Sequence, residues 1–171
     1  MASILSACQA TSDSSEKNVN LRSALAQKLV LDLRYFCSEQ EVRSYNGKTH
    51  CDKPMTELPE DLFAMIRDNN LGGIILFAEN LSSPAQIVAL NHELQMAAKA
   101  SRLQRPLFIS VDQEGGRVAR LPRADSTPMS GNMAIGATYR RHGVKFAVAS
   151  GEVLGAELVA LGFNVNHAPT V

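Results

Sequence analysis

The sequence predicts an α/β fold of about four parallel strands separated by helices, on three observations. Short aliphatic runs recur at residues 29–36, 73–77, 107–112 and 163–165, and the stretches between them carry apolar residues at spacings of three and four. The runs also open into polar residues and glycines at their C-terminal ends. Apolar strands covered on both faces are typical of parallel sheets, whose strand–helix–strand units are joined by right-handed crossovers. Such units build either a doubly wound sheet or a (β/α)8 barrel, and the pattern alone does not choose.

Taken in order, residues 1–19 form a polar, serine-rich segment ahead of one domain over 20–171. Within it, Leu5-Ser6-Ala7-Cys8 resembles a bacterial lipobox, whose cysteine is lipidated and tethers the protein to a membrane. The charged and apolar regions that usually precede a lipobox are absent, so the segment reads equally as a lipoprotein signal remnant or as a disordered N-terminus. Residues 21–28 read as a short helix and 29–36 as the first strand, with Asp32 either at the strand mouth or paired with Arg34. The long loop that follows holds Cys37, a turn at Tyr45-Asn46-Gly47-Lys48, and Cys51. In an exported protein the two cysteines would form a disulfide worth about 3 kcal/mol; in a cytosolic one they would be free thiols.

Pro59 marks a helix start, with Leu62, Met65, Ile66 and Asn69 at helical spacing. Ser83-Pro84-Ala85-Gln86 combines an N-cap serine, a proline in the first turn and a capping-box glutamine. Ile87, Leu90, Leu94 and Ala97 give the inner stripe of that helix, and His92 falls off it. Residues 122–136 lack periodicity and should lie over the mouth as an irregular segment. Arg140, Arg141 and His142 read as a solvated, charged helix start. Val144, Ala147, Gly151, Leu154, Leu158 and Leu161 describe an amphipathic helix in which Gly151 and Gly155 would permit close packing on the sheet, and Gly162 ends it.

The third strand carries the chemistry: Leu107-Phe108-Ile109-Ser110-Val111-Asp112-Gln113-Glu114-Gly115-Gly116-Arg117-Val118-Ala119-Arg120-Leu121. Strand alternation puts Ile109, Val111 and Gln113 on one face and Ser110, Asp112 and Glu114 on the other. Gly115-Gly116 permits positive φ or close approach of a ligand, and Arg117 and Arg120 can fold back towards the acids. These residues read as a ligand site or as a turn with a structural ion pair. Asp112 and Glu114 as a catalytic acid pair are a weaker reading beside two arginines.

Asp112-Gln113-Glu114-Gly115-Gly116-Arg117-Val118-Ala119-Arg120-Leu121 closely resembles the signature of glycoside hydrolase family 3, in its β-N-acetylhexosaminidase branch. Leu71-Gly72-Gly73-Ile74-Ile75-Leu76-Phe77-Ala78-Glu79-Asn80 and the segment from Leu161-Gly162-Phe163-Asn164-Val165-Asn166-His167 to Val171 agree in order and spacing. The resemblance implies a (β/α)8 TIM-type barrel, of which this chain would be the N-terminal half. It implies retaining hydrolysis of terminal β-linked N-acetylglucosamine from peptidoglycan fragments or chitin oligosaccharides.

In the family the nucleophile is an aspartate on a later strand, and the acid/base pair lies on a later loop; no stretch here matches either. The expectation is therefore of a chain that binds sugar but does not catalyse alone. Asp112 matches the aspartate that bonds sugar hydroxyls and Arg120 the arginine that follows it. Glu114 and Arg117 resemble orienting partners, with Gly115, Gly116, Asn166 and His167 supporting. Ala119 departs from the glutamine often found there. The runner-up readings are another family 3 β-glycosidase or a non-catalytic sugar-binding module.

Seventeen basic residues balance seventeen acidic ones, so nothing in the net charge argues for a nucleic-acid partner. No apolar run reaches the roughly 18–20 residues of a membrane span, and neither cofactor nor metal is implied by any motif. The expected partner is an amino-sugar oligosaccharide. The lipobox points to the bacterial periplasm or outer membrane, with the cytoplasm as the other reading, and half a barrel would leave open edges through which copies self-associate.

Overall fold

A computed structural model describes residues 21–39, 41–45 and 48–170. Cys8 and the rest of the lipobox, and the turn residues Asn46 and Gly47, lie outside the described residues. The chain begins with α1 (Leu21–Ala26) and β1 (Val30–Asp32), followed by a hairpin of β2 (Arg43–Tyr45) and β3 (Lys48–His50). Next come α2 (Glu60–Asn69), β4 (Gly73–Leu76), α3 (Pro84–Lys99) and β5 (Phe108–Val111). Two short helices, α4 (Asn132–Ala137) and α5 (Tyr139–His142), precede α6 (Lys145–Ala160) and β6 (Val165–Asn166).

The main sheet has the order β1-β4-β5-β6 and all its pairs are parallel. Four strands in sequential order with helical crossovers form half of a TIM-type barrel, the fold class expected. The register places Leu31, Ile74 and Ile109 side by side, and Leu76 beside Val111. Ile74, Leu76, Ile109 and Val111 are completely buried under α2 and α3, whose Ile66, Ile87, Leu90, Leu94 and Ala97 form the other half of the core. On the opposite, inward face Val30, Gly73 and Phe108 are in register, with Val30 and Phe108 exposed. A Cβ on Gly73 would lie 2.8 Å from the Phe108 carbonyl oxygen, so only glycine fits between those neighbours.

Several expectations shift. The first strand pairs over three residues instead of eight: among the described residues β4 is its one neighbour, and Arg34 N donates to Asp32 Oδ1 at 2.9 Å instead of to a strand. The Ser83 hydroxyl accepts from Gln86 N as predicted, but Gln86 Oε1 accepts from Ser82 N and Oγ, one residue before the cap. Gln86 Nε2 then reaches Thr56 O at 2.6 Å and Asn80 O at 3.1 Å. The segment over the mouth is not wholly irregular, since α4 forms within it.

The α6 expectation needs correction. Leu154 and Leu158 are its only buried residues, and a Cβ on Gly151 or Gly155 would meet nothing within 4 Å. The two glycines do not pack on the sheet; they line an apolar cavity of about 530 Å3 together with Ile135, Tyr139 and Pro169.

Candidate functional site

The site is built at the C-terminal ends of the parallel strands, where side chains leave the sheet without strand partners. β5 delivers Asp112 there. Its Oδ2 lies 3.5 Å from Arg120 Nη2, and the two side chains keep 24% and 32% of their surface exposed. Arg120 also lies over the Phe77 ring, its Cζ 5.8 Å from the ring centroid, within the range of a cation–π contact. The result is a half-open carboxylate with acceptors to spare beside a fork of guanidinium donors, a combination suited to vicinal hydroxyls.

What holds Arg120 in place is Gln113, which is 2% exposed. Its Oε1 accepts from Arg120 N at 2.7 Å and from Leu121 N at 3.2 Å. Asn166 grips the same residue from β6: its Oδ1 accepts from Gln113 N and its Nδ2 donates to Gln113 O, both at 2.9 Å. The sequence marked Gln113 only as continuing the apolar face of Ile109 and Val111. The available signal was that a polar residue at a buried strand position must find partners.

Gly115 and Gly116 have φ of 84° and 60°. The close approach they permit is to the protein itself and not to a ligand. A Cβ on Gly115 would lie 2.8 Å from Ser130 O, and one on Gly116 2.9 Å from Gly131 Cα. Gly116 N donates to Met129 O at 2.8 Å, fastening the 122–136 segment onto the site loop.

Glu114 ties three segments together. It accepts from Asn132 Nδ2 at 3.0 Å and from Thr170 N and Oγ1, each at 2.8 Å. The Thr170 amide, then the Thr170 hydroxyl, hold its carboxyl below the usual range, with smaller help from Asn132 and the Arg120 charge against a burial penalty. With its oxygens occupied by three donors, Glu114 is not disposed as the second member of an acid pair. A group depressed in the folded state stabilises above its unfolded value and loses that contribution as pH falls through the folded value. Stability is therefore expected to fall as pH drops below the ordinary glutamate value of 4.5. Glu114→Gln should flatten that acid limb in a series of thermal melts; an unchanged limb would remove Glu114 from the account.

Arg117 is exposed and makes no hydrogen bond or ion pair among the described residues, so it does not turn back to the acids as expected. It lies in the turn at 115–118, where Glu114 N donates to Val118 O at 2.8 Å. His167 donates its backbone N–H to Val111 O at 2.9 Å, and the residue is exposed.

Across Phe77 lies a second cluster. Arg34 Cζ sits 3.7 Å above the same ring, and its Nη2 contacts Asp32 Oδ2 at 3.1 Å and its Nη1 Glu79 Oε1 at 3.7 Å. Asp32 thus does both things foreseen for it, standing at the mouth and pairing with Arg34. Beneath the cluster, Asn80 is completely buried. Its Nδ2 lies 2.8–3.3 Å from the carbonyls of Leu33, Arg34 and Met55, and its Oδ1 accepts from Phe77 N at 3.0 Å. The loop that begins here is closed by a Cys37–Cys51 disulfide with Cα atoms 5.6 Å apart. No group of three potential metal ligands occurs among the described residues.

The family model described as the glycosyl hydrolase family 3 N terminal domain matches residues 40–171. The chain is 50% identical over 147 residues to Beta-hexosaminidase A of Pseudoalteromonas piscicida, covering 86% of this chain and 24% of that protein. It is 38% identical over 128 residues to the Beta-hexosaminidase of Thiobacillus denitrificans, covering 73% and 34%. Among solved structures it resembles a glycoside hydrolase family 3 β-N-acetylglucosaminidase from Paenibacillus sp. str. FPU-7, with a TM-score of 0.66 and 36% identity over 87% of this chain and 24% of that one. NagZ from Neisseria gonorrhoeae, solved in complex with N-trifluoroacetyl-D-glucosamine, matches with a TM-score of 0.57 and 30% identity over 67% of this chain and 33% of that one. The chain thus spans about a quarter to a third of these relatives' lengths.

Proposed function

The chain belongs to glycosyl hydrolase family 3, and on that premise we propose that it supplies the sugar-binding side of a retaining β-N-acetylhexosaminidase. The observation that carries the reading is the Asp112–Arg120 pair, half open at the strand mouth and held from behind by Gln113 and Asn166. Asp112 accepts from two hydroxyls of a terminal N-acetylglucosamine while Arg120 donates to a neighbouring oxygen. The chemical steps of a retaining mechanism need a nucleophile and a proton donor, and the stretches that carry them in the family have no match among these residues. The substrates proposed are peptidoglycan fragments or chitin oligosaccharides.

Isothermal titration of the 171-residue chain with N-acetylglucosamine tests this. Binding is expected, and Asp112→Ala is expected to weaken it by at least about tenfold, the least that losing its two charge-assisted hydrogen bonds should cost in a half-buried site. Unchanged affinity would overturn the assignment of Asp112. With a chromogenic β-N-acetylglucosaminide the same chain should show no turnover, and detectable cleavage would place catalytic groups within these residues.

An exported location is part of the proposal, and the Cys37–Cys51 disulfide supports it, since such bonds persist in oxidising compartments. A membrane tether through Cys8 and a role in carbohydrate metabolism extend the same reading. Self-association is proposed from the exposed inward face at Val30 and Phe108 and from the exposed apolar residues of α6.

A further inference from the structure

We infer that Arg34, Tyr35 and Glu79 form a second sugar-ring subsite beside Asp112 and Arg120, selective for neutral rings over rings that bear a carboxylate. The inference rests on the function proposed above and deepens it, because it chooses between the two substrate classes named there.

Placement is the first argument. Arg34 and Arg120 lie against one Phe77 ring, so the two clusters share a wall and sit side by side at the barrel mouth. Asp32, Arg34 and Tyr35 line an open cavity of about 390 Å3. A terminal sugar bound at Asp112 would have its glycosidic neighbour within reach of it.

The second argument is which contacts are tight and which are loose. Asp32 accepts from both the backbone N–H and Nη2 of Arg34, at 2.9 and 3.1 Å, so it positions the guanidinium. Among the described residues, Glu79 is held by Tyr35 Oη at 3.4 Å and Arg34 Nη1 at 3.7 Å. Those are contacts that a sugar hydroxyl can displace. Tyr35 keeps 42% of its surface exposed and can offer its ring as an apolar platform, the usual partner of a sugar's C–H face.

Charge is the third. One guanidinium stands between two carboxylates, and the neighbouring Asp112–Arg120 pair is balanced. The local excess is negative. A neutral amino-sugar ring, as in chitin, enters without penalty, whereas a ring carrying a free lactyl carboxylate, as in peptidoglycan fragments stripped of their peptide, meets like charge.

The test is titration of the 171-residue chain with three ligands: N-acetylglucosamine, N,N′-diacetylchitobiose, and the matching disaccharide with a lactyl carboxylate on its second ring. Chitobiose should bind about tenfold more tightly than the monosaccharide, and the acidic disaccharide about fivefold less tightly than chitobiose. Tyr35→Ala should bring chitobiose to within about twofold of the monosaccharide. Glu79→Gln should close most of the gap between the two disaccharides. Both variants should hold N-acetylglucosamine as the parent does, which also shows that they fold.

Equal binding of monosaccharide and chitobiose, with Asp112→Ala abolishing both, would overturn the subsite and leave the proposed function standing. Preference for the acidic disaccharide would overturn the selectivity. Failure of all three ligands to bind would overturn the proposed function and this inference with it.

Discussion

Asn80→Ala is expected to destabilise the domain by about 3–5 kcal/mol, as a shift of the urea midpoint. The side chain is completely buried and is the common partner of three carbonyls and one amide drawn from three places in the chain. Truncation leaves the Phe77 N–H and the Leu33, Arg34 and Met55 carbonyls without this partner. The Arg34 carbonyl keeps Met55 N as a donor at 3.0 Å, and each buried group left with no partner costs about 1–3 kcal/mol unless water reaches it. The damage is local to the mouth, since Arg34 and Phe77 are the residues whose backbone the side chain fixes. Asn80→Asp should do comparable harm by replacing a donor with a buried charge. A midpoint shift worth less than about 1 kcal/mol would mean that the loop is held by the disulfide and the Tyr35–Pro54 bridge instead.

Gln113→Leu is the second large effect expected: about 2–3 kcal/mol of stability, with sugar affinity falling by about tenfold or more. Leucine fills a similar volume, so the cost comes from the Arg120 and Leu121 amides that lose their shared acceptor. Arg120 would then be free to leave Asp112, and affinity should suffer even though Gln113 touches no ligand. Gln113→Glu separates the two roles, because a carboxylate still accepts from both amides. If the glutamate variant retains sugar affinity and the leucine variant does not, the residue positions Arg120. Loss of stability with affinity intact in both would confine Gln113 to packing.

These two residues also mark the boundary of what was legible in the sequence. Ser83, the α3 stripe and the four strand segments could be read because each depends on neighbours within a few positions. Asp112 and Arg120 could be read because a known signature contains them. Asn80 and Gln113 could not, since the partners that define them stand up to 53 residues away and are mostly backbone groups, which carry no sequence signal. The same blindness affected Arg117, which lies exposed in the turn at 115–118. It affected α6 as well: its spacing reports an apolar helix faithfully, but not which of its faces the described residues cover.

β6 shows how much a few side chains can replace. It is two residues long, too short to fix its own register. Asn164 receives Ile109 N at its Oδ1 and gives Nδ2 to Leu107 O, both at 2.8 Å, and Asn166 does the same around Gln113. The asparagines peg the strand at both ends of β5.

The Cys37–Cys51 crosslink has a consequence for how the rim can change over evolutionary time. It closes the loop above a ladder formed by Phe36 N to Lys53 O and Met55 N to Arg34 O, both at 3.0 Å, and Asn80 secures that ladder from below. Among the described residues the loop is tied to that ladder by the bridge and by Glu41, which accepts from Lys53 Nζ at 2.7 Å. Lengthening a loop costs little, about 0.6 kcal/mol for each doubling. The β2–β3 hairpin is a site where new rim contacts can be tried without disturbing the strands that carry Asp112.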